Sequence, residues 1–574
     1  MLKKLDKCTV FSVIFFVTVF LFWWLYKPEA LYYQEIFQLF AWDSSYFADL
    51  VSIPGGMADY VSEFLVQFYY YPVLGAAIIA AVFTGLVILV FQLAKYFHDG
   101  RPEFNILHTL PAMMLWYVMY DINVMHNYMV ALLMALLISW LCLSGLRSGS
   151  GGRAWASLSA IPLGYFLFGP VVLIPLILSI VYILRRGFGH AYYIGALLAL
   201  ALVIAVSAHY VLYPLPRFLY GIDYYRYHGF NWWMLVVACF FVLAPLAGFG
   251  SQLTAKKYLL PLQCAAWAVV LYLVVSAYEP YKYQTLKYLK MTHECKWKEI
   301  VEDASVHTPE AVYSMMMVNT ALAFEQKLAD SMFQFPQEGP YCLIPDLDND
   351  MLQPLLVADA LYWMGLNDHA IHYYFESKTG NPTYRGSRFS YMRLAECYMV
   401  NGDYGVAYKY LNQLKKTLFF KEKAMMYINL IETGRVAEDP LFATLRSIKL
   451  QTNGLQAANQ IADSFRSLLK ENPYNYLAFE YLMGFRLLTC DLAGLAEDVS
   501  LGQKLGYKEL PMHIQEALIY FWNSHNGNID RLPSSISHEV RTRFQKKLIA
   551  DDSYWQYLLD NKDKQYYEDE HEIQ

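Results

Sequence analysis

Long apolar segments alternate with short polar ones through the first half of the chain. Most apolar segments approach the roughly 20 residues that a helix needs to cross the hydrocarbon core of a bilayer, and polar or charged residues bound each of them. The pattern predicts nine membrane-spanning helices, at about 9–26, 72–95, 105–120, 127–146, 154–168, 170–184, 191–213, 232–249 and 258–277. The chain is therefore expected to be an integral membrane protein.

The pattern changes after about residue 277, where charged residues become frequent and helical periodicity continues without strand-like alternation. The expected fold class is all-α, a polytopic transmembrane bundle followed by a soluble, tetratricopeptide-like helical-repeat domain. The predicted organisation is a transmembrane domain at 1–277 with an amphipathic extracytoplasmic loop at 27–71, an extracytoplasmic repeat domain at 278–562 and an acidic tail at 563–574.

One internal repeat can be recognised in the second half. Five positions recur after 37 residues, with Ala358, Leu361, Gly365, Ala370 and Tyr374 followed by Ala395, Tyr398, Gly402, Ala407 and Leu411. Small residues that let paired helices approach, with a glycine at the turn between them, resemble tetratricopeptide-type hairpins. Such arrays bind a protein or peptide partner, or pack as a rigid cap.

Positive charge is distributed unequally between the two sides of the predicted spans. Loops on one side carry eleven basic residues, Lys3, Lys4, Lys7, Lys95, Arg101, Arg147, Arg153, Arg185, Arg186, Lys256 and Lys257, and short loops on the other carry Lys27, Arg217 and Arg226. Cytoplasmic loops carry such an excess. We therefore expect a cytoplasmic N-terminus and, after nine crossings, a periplasmic C-terminal domain in a bacterial inner membrane.

The loop at 27–71 is longer than a connection between two spans requires. After Pro54-Gly55-Gly56 its apolar residues recur at helical spacing, which predicts an amphipathic helix in the plane of the membrane interface. Asp59, Glu63 and Gln67 are expected to form the wet face of that helix, because their spacing already accounts for them.

Further upstream, the acids Glu35, Asp43 and Asp49 accompany the aromatic residues Trp42 and Tyr46. Aromatic rings stack on sugars, and a carboxylate can deprotonate an acceptor hydroxyl or bind a metal. These five residues are candidate catalytic and substrate-binding residues. The alternative is that the acids only keep an interfacial segment in contact with water.

The predicted outer loop that carries Arg217 and Arg226 offers a second group of candidates. Paired arginines could hold the phosphate of a lipid carrier. They could equally pair with the acids of the first loop.

Composition removes several classes of function. The chain is 57% hydrophobic with a net charge of −6 and no basic cluster, which excludes nucleic acid as a partner. None of the common hydrolase, nucleotide-binding or zinc-protease motifs is present, no metal site is predicted, and no cofactor can be assigned. The bilayer is the partner that the sequence establishes.

Two segments resemble an uncharacterised family of multi-pass inner-membrane proteins of the Bacteroidota, a domain of unknown function. They are Pro54-Gly55-Gly56 with FLVQFYYYP at 64–72, and NPYNYLAFEYLMGFRLLTCDL at 472–492. This resemblance implies a location and no activity. In architecture alone the chain is similar to GT-C glycosyltransferases, which use lipid carriers and have acids in the first outer loop. GT-C acids usually stand in pairs, whereas Glu35, Asp43 and Asp49 stand singly.

Two functional hypotheses follow. The first is a GT-C-like transferase that moves a sugar from a polyprenyl carrier, with Asp43 or Asp49 as base or metal ligand and Arg217 or Arg226 on the carrier phosphate. The second is a non-enzymatic membrane scaffold whose repeat domain recruits envelope proteins.

Overall fold

The computed structural model describes residues 7–98, 106–122, 124–211, 232–247, 256–276, 280–345, 352–381, 386–451, 461–526 and 536–564. Throughout these residues the regular structure is helical, which confirms the all-α fold class. The chain forms two compact units. The first contains residues 1–278 and the short piece 416–418, and the second contains residues 279–415 and 419–574.

The described α-helices of the first unit are α1 (Lys7–Leu21), α2 (Pro28–Ile36), α3 (Ser44–Val51), α4 (Gly56–Val66), α5 (Pro72–Phe97), α6 (Leu110–Met119), α7 (Asn127–Arg147), α8 (Gly151–Leu158), α9 (Ala160–Phe168), α10 (Leu173–Arg186), α11 (Ala191–Tyr210), α12 (Trp232–Leu246) and α13 (Lys256–Ser276). A π-helical turn at Phe22–Tyr26 extends α1, and 3₁₀ turns lie at Gln67–Tyr70, Ile106–Thr109 and Pro170–Val172.

Four described helical segments are long and apolar enough to cross a membrane, Cys8–Tyr26, Pro72–Phe97, Asn127–Arg147 and Ala191–Tyr210. Their outward side chains are apolar, as a lipid environment requires. The predicted number of nine spans is not confirmed. The helix α6 has 10 residues, and Gly169, whose φ is +77°, separates α9 from the turn that begins α10.

Three short helices, α2, α3 and α4, fold the loop between the first two spans onto the first unit. Gly55 directly precedes α4 and has φ +83°, and its amide donates a hydrogen bond to the carbonyl of Phe166 in α9. A Cβ atom on Gly56 would lie 1.7 Å from the carbonyl oxygen of Leu50, so the corner between α3 and α4 requires glycine. The helix α4 then packs against α7 and α9.

The described α-helices of the second unit are α14 (Pro280–His293), α15 (Trp297–Val306), α16 (Val312–Phe324), α17 (Leu328–Ser331), α18 (Leu352–Met364), α19 (Asn367–Thr379), α20 (Arg388–Asn401), α21 (Tyr404–Leu414), α22 (Lys421–Glu432), α23 (Pro440–Ile448), α24 (Ile461–Glu471), α25 (Tyr476–Leu488), α26 (Leu492–Asp498), α27 (Met512–Asn526), α28 (His538–Gln545) and α29 (Tyr554–Asn561). 3₁₀ turns lie at Met332–Gln334, Gly339–Cys342, Val436–Glu438 and Val499–Leu505.

One turn recurs in this unit. At seven described helix ends a residue with positive φ donates its amide to the carbonyl three residues earlier, and the amide of the following residue donates to the carbonyl five residues before it. At all of them except Lys547, the next helix or 3₁₀ turn begins two residues after the residue with positive φ. The seven positions are Cys295, Gln326, Gly365, Gly402, Gly434, Cys490 and Lys547. Each is a Schellman-type ending, and the unit is built from helical hairpins that share it.

Candidate functional site

The helix α4 of the first loop turns its polar side inward. Asp59 and Glu63 have exposed fractions of 7% and 5%, whereas Tyr60 and Phe64 on the neighbouring apolar side are partly exposed. The predicted helix is present, but the expected wet face for Asp59 and Glu63 is wrong. In contact with lipid the apolar stripe faces outward, and the polar stripe must find partners inside the protein.

Two adjacent residues at the start of α7 hold this loop. The side-chain amide of Asn127 donates a hydrogen bond to Oδ1 of Asp59 at 2.7 Å. Nδ1 of His126 lies 2.7 Å from the hydroxyl of Tyr69, in the turn that follows α4. All four side chains are buried. The start of α7 therefore fixes both ends of the segment from Asp59 to Tyr69.

Polar residues in and just after α2 are bonded to the backbone shortly before the start of α7. The amide of Gln34 donates to the carbonyls of Ile122 and Val124, at 2.7 and 3.3 Å, and Gln38 donates in turn to Gln34. Glu35 is next to Gln34 and has an exposed fraction of 4%. The helix α2 also packs against the 3₁₀ turn that contains Tyr69. We give the name first-loop polar cluster to eight buried polar residues of this loop and of the start of α7, Gln34, Glu35, Gln38, Asp59, Glu63, Tyr69, His126 and Asn127.

Burial sets the protonation of the aromatic members of the cluster. It lowers the pKa of His126 to about 3, so the imidazole is neutral at physiological pH. Burial also raises the pKa of Tyr69, which keeps its hydroxyl as a hydrogen-bond donor or acceptor. The cluster thus combines carboxylates with neutral hydrogen-bonding groups, a set that can bind hydroxyl-rich ligands and take up a proton.

Asp43, a predicted catalytic residue, is held by a basic side chain. Its Oδ2 lies 2.7 Å from Nζ of Lys416, which belongs to the short piece of the first unit at 416–418, and the hydroxyl of Ser45 also donates to it. These hydrogen bonds, that of Lys416 first, hold the pKa of Asp43 below its ordinary value. A carboxylate engaged in this way is a weaker base than a free one.

The other predicted residues of the first loop lie apart from the polar cluster. Asp49 is exposed on α3. Trp42 and Tyr46 pack edge to face against Phe40, and Trp42 also packs against Phe64 on the apolar side of α4. Trp42 keeps 55% of its surface exposed. Of the acids predicted to be catalytic, Glu35 is the one that belongs to the cluster.

Arg217 and Arg226, predicted to bind the carrier phosphate, lie outside the described residues. Asp59 and Glu63 are the cluster acids that the sequence assigned to another role. Asp59 and Glu63 are four residues apart, which places them on one face of the helix whether that face contacts water or the protein interior. The available signal was the polar pair His126-Asn127 at the start of an apolar span, which indicates a polar partner nearby.

A second set of buried charges lies in the second unit and is internally paired. Arg393 bridges Asp359 at 3.2 Å and Glu396 at 3.0 Å, and Lys423 lies 3.0 Å from Glu396. Burial acts to raise the pKa of Glu396, but Arg393 and Lys423 outweigh it and hold that pKa below its ordinary value. Because each acid has a basic neighbour, we interpret this network as a link between hairpins.

Within the described part of the chain, no group of three or more His, Cys, Asp or Glu side chains is arranged to hold a metal ion.

Comparison with known proteins gives a family and no activity. No curated protein and no solved structure matches the chain. Residues 4–550 match the model of a family of unknown function, DUF6057, and the chain is therefore a member of that family.

Proposed function

We propose that the protein is a membrane-embedded transferase that moves a sugar from a polyprenyl carrier, and that the first-loop polar cluster is its reaction site. One observation carries the proposal: α4 buries its carboxylates and leaves its aromatic residues partly exposed. Ionisable groups buried in a membrane domain are costly and are usually kept for function.

Three acids of the cluster are candidates for the base that activates an acceptor hydroxyl, Glu35, Asp59 and Glu63. Asp59 accepts a hydrogen bond from Asn127, which orients its carboxylate. The imidazole of His126 is neutral, and its Nδ1 is hydrogen-bonded to Tyr69. Its Nε2 can accept a hydrogen bond from a sugar hydroxyl or donate one to it. Arg217 and Arg226 keep their predicted role at the carrier phosphate, as proposed from the sequence.

The proposal includes an orientation. The excess of basic residues in alternate loops supports a cytoplasmic N-terminus in a bacterial inner membrane, with the second unit in the periplasm. The first loop then faces the periplasm, the side on which polyprenyl-linked sugars are presented to envelope acceptors.

The test compares envelope glycans from a deletion strain complemented with the parent or with single variants. Glu35→Gln, Asp59→Asn and Glu63→Gln preserve size and remove charge, and the Asn at position 59 can still accept from Asn127. Asp49→Asn is the matched control, because Asp49 is an acid of the same loop whose side chain is exposed. We expect at least one buried-acid variant to accumulate normally and lose about 100-fold or more in transfer, and the control to behave like the parent.

If all three variants restore the glycans as the parent does, the transferase proposal is wrong. The amount of each variant and its melting temperature are measured alongside, so that loss of folding is separated from loss of chemistry.

A scaffold is the second candidate, and the recurring hairpins of the second unit favour it. Stacked helical hairpins provide extended surfaces for proteins or peptides. A truncated variant that ends after Ser276 tests which of the two functions is correct, because it lacks the second unit. Transfer that persists without the second unit supports the enzyme, and a phenotype that needs the second unit but none of the three acids supports the scaffold.

A further inference from the structure

Lys27 is a buried basic residue at the end of the first span. The span runs from Cys8 to Tyr26, and Lys27 follows it directly with an exposed fraction of 4%. A lysine at the end of a span normally extends its side chain toward water. Lys27 instead keeps almost none of its surface in contact with solvent.

The backbone around Lys27 contributes to this inward position. The last turn of the span, Phe22–Tyr26, is π-helical, and the amide of Lys27 closes it by donating to the carbonyl of Phe22 at 3.0 Å. Turns of this kind are rare and are often found at functional sites. Nζ of Lys27 lies 4.5 Å from the centre of the Tyr26 ring, which stabilises the charge in part.

Lys27 also lies beside the helix that carries part of the first-loop polar cluster. It is the residue before α2, the helix of Gln34 and Glu35, and α2 packs against the π-helical turn. In the same turn, the ring of Phe22 packs edge to face against Trp116 and also contacts the ring of Tyr120. Tyr120 comes shortly before Ile122 and Val124, whose carbonyls accept hydrogen bonds from Gln34. The basic group and the cluster thus share their supporting elements.

The depth of Lys27 suggests which ligand it would bind. The end of a span coincides with the level of lipid phosphate groups in a bilayer. A compact ammonium group with three donors binds phosphate as a point charge. We propose that Lys27 binds the phosphate of the lipid-linked substrate, an inference that rests on the proposed function and names the group by which its substrate is recognised.

Protonation gives this proposal an additional measurable property. Burial lowers the pKa of Lys27 to about 8, although Glu29 in the first turn of α2 acts to raise it. The side chain is charged at neutral pH and loses its proton as the pH rises above about 8. Phosphate binding should therefore weaken by about tenfold or more between pH 7.5 and 9.5.

The experiment measures binding to the purified full-length protein in detergent. Farnesyl phosphate is the probe, farnesol is its control without phosphate, and inorganic phosphate and phosphatidylglycerol micelles represent other phosphate sources. Lys27→Met removes the charge and keeps the stem, and Lys27→Arg keeps the charge. Lys95→Met is the matched control, because Lys95 also lies at the end of a span and 4.8 Å from the centre of an aromatic ring.

We expect farnesyl phosphate to raise the melting temperature of the parent, Lys27→Arg and Lys95→Met proteins, and Lys27→Met to bind it about 10- to 100-fold more weakly. The arginine variant should also lose the decline above pH 8. An equal affinity in Lys27→Met, or no binding by the parent, overturns the inference. A shift of the same size with inorganic phosphate or phosphatidylglycerol overturns the assignment to a lipid-linked substrate.

Failure of the proposed function would look different. If farnesyl phosphate binds through Lys27 while Glu35→Gln, Asp59→Asn and Glu63→Gln all retain full transfer, the reaction site is wrong and the phosphate site stands.

Discussion

Glu480 is a carboxylic acid buried in the second unit, with an exposed fraction of 1%. The hydroxyl of Tyr507 donates to it at 2.8 Å and the amide of Ala329 at 3.2 Å. Burial raises its pKa to about 7, and the nearby charge of Asp330 adds to the effect. The folded protein therefore binds a proton at Glu480 more tightly than the unfolded chain does.

This residue should make stability depend on pH. The contribution of Glu480 to the free energy of unfolding is fully present below the unfolded pKa near 4.5 and is lost as the pH rises through about 7, a total loss of about 3 kcal/mol. Glu480→Gln removes the ionisation and can keep both hydrogen bonds. In denaturant unfolding, the variant should gain about 2 kcal/mol relative to the parent between pH 5 and pH 8.

The exposed Glu422 of α22 provides the control for Glu480. Glu422→Gln should change the free energy of unfolding by less than about 0.5 kcal/mol at either pH. A constant difference between Glu480→Gln and the parent across this range would contradict a raised pKa.

The orientation of Asp59 and Glu63 could not be predicted from their own positions in the sequence. Their helix could be predicted because its periodicity is local. Which side faces inward depends on Asn127, 68 residues later in the chain. A polar stripe turns toward water in a soluble protein and toward the protein interior next to lipid, and the stripe itself is the same in both cases.

Two glycines at equivalent turns of the second unit give a prediction at the scale of elements. Gly402 and Gly365 have φ values of +88° and +92°. A Cβ atom on Gly402 would meet no atom within 4 Å, whereas one on Gly365 would lie 2.4 Å from the carbonyl oxygen of Ile448. Gly402→Ala should therefore cost about 1 kcal/mol of unfolding free energy, the price of the left-handed backbone.

Gly365→Ala adds a collision with backbone to the same strain and should cost about 3 kcal/mol or more. Denaturant unfolding of the two variants beside the parent measures both values. If both variants lose the same unfolding free energy, the backbone at Ile448 moves away from the added methyl group without destabilising the protein.

The hairpins of the second unit could be predicted from sequence only in part. Gly365 and Gly402 indicated two turns because glycine favours a positive φ. The same turn occurs at Cys295, Gln326 and Cys490, where the side chain gives no such signal. There the backbone hydrogen bonds and the packing of the flanking helices hold a conformation that the residue itself disfavours.

At the scale of the whole molecule, the predicted all-α class is confirmed for the described residues, and four of their helical segments are long and apolar enough to cross a membrane. The number of spans is more difficult to predict from sequence. The helices α6, α8 and α9 are too short to cross the bilayer alone, and Gly169 separates α9 from the helical turn that follows. Nothing in an apolar segment alone distinguishes a helix that crosses the membrane from one that enters it partway.

Topology can be tested by reporters fused after Ala277. With nine crossings and a cytoplasmic N-terminus, alkaline phosphatase at this position should be active and a fluorescent protein that folds only in the cytoplasm should be dark. A fusion after Arg186, expected in the cytoplasm, should give the reverse result. A cytoplasmic signal after Ala277 would change the number of crossings by one, most directly at Gly169.

The inward polar face of α4 has a consequence for biosynthesis. Its partner, α7, ends at Arg147, about 80 residues after α4 has left the ribosome. At roughly 5–20 residues per second, those residues take about 4 to 16 s to make. During that interval Asp59 lacks its partner Asn127, and its carboxylate has to remain hydrated. The first loop therefore reaches its final position after the first two spans, when the span that begins at Asn127 has entered the membrane.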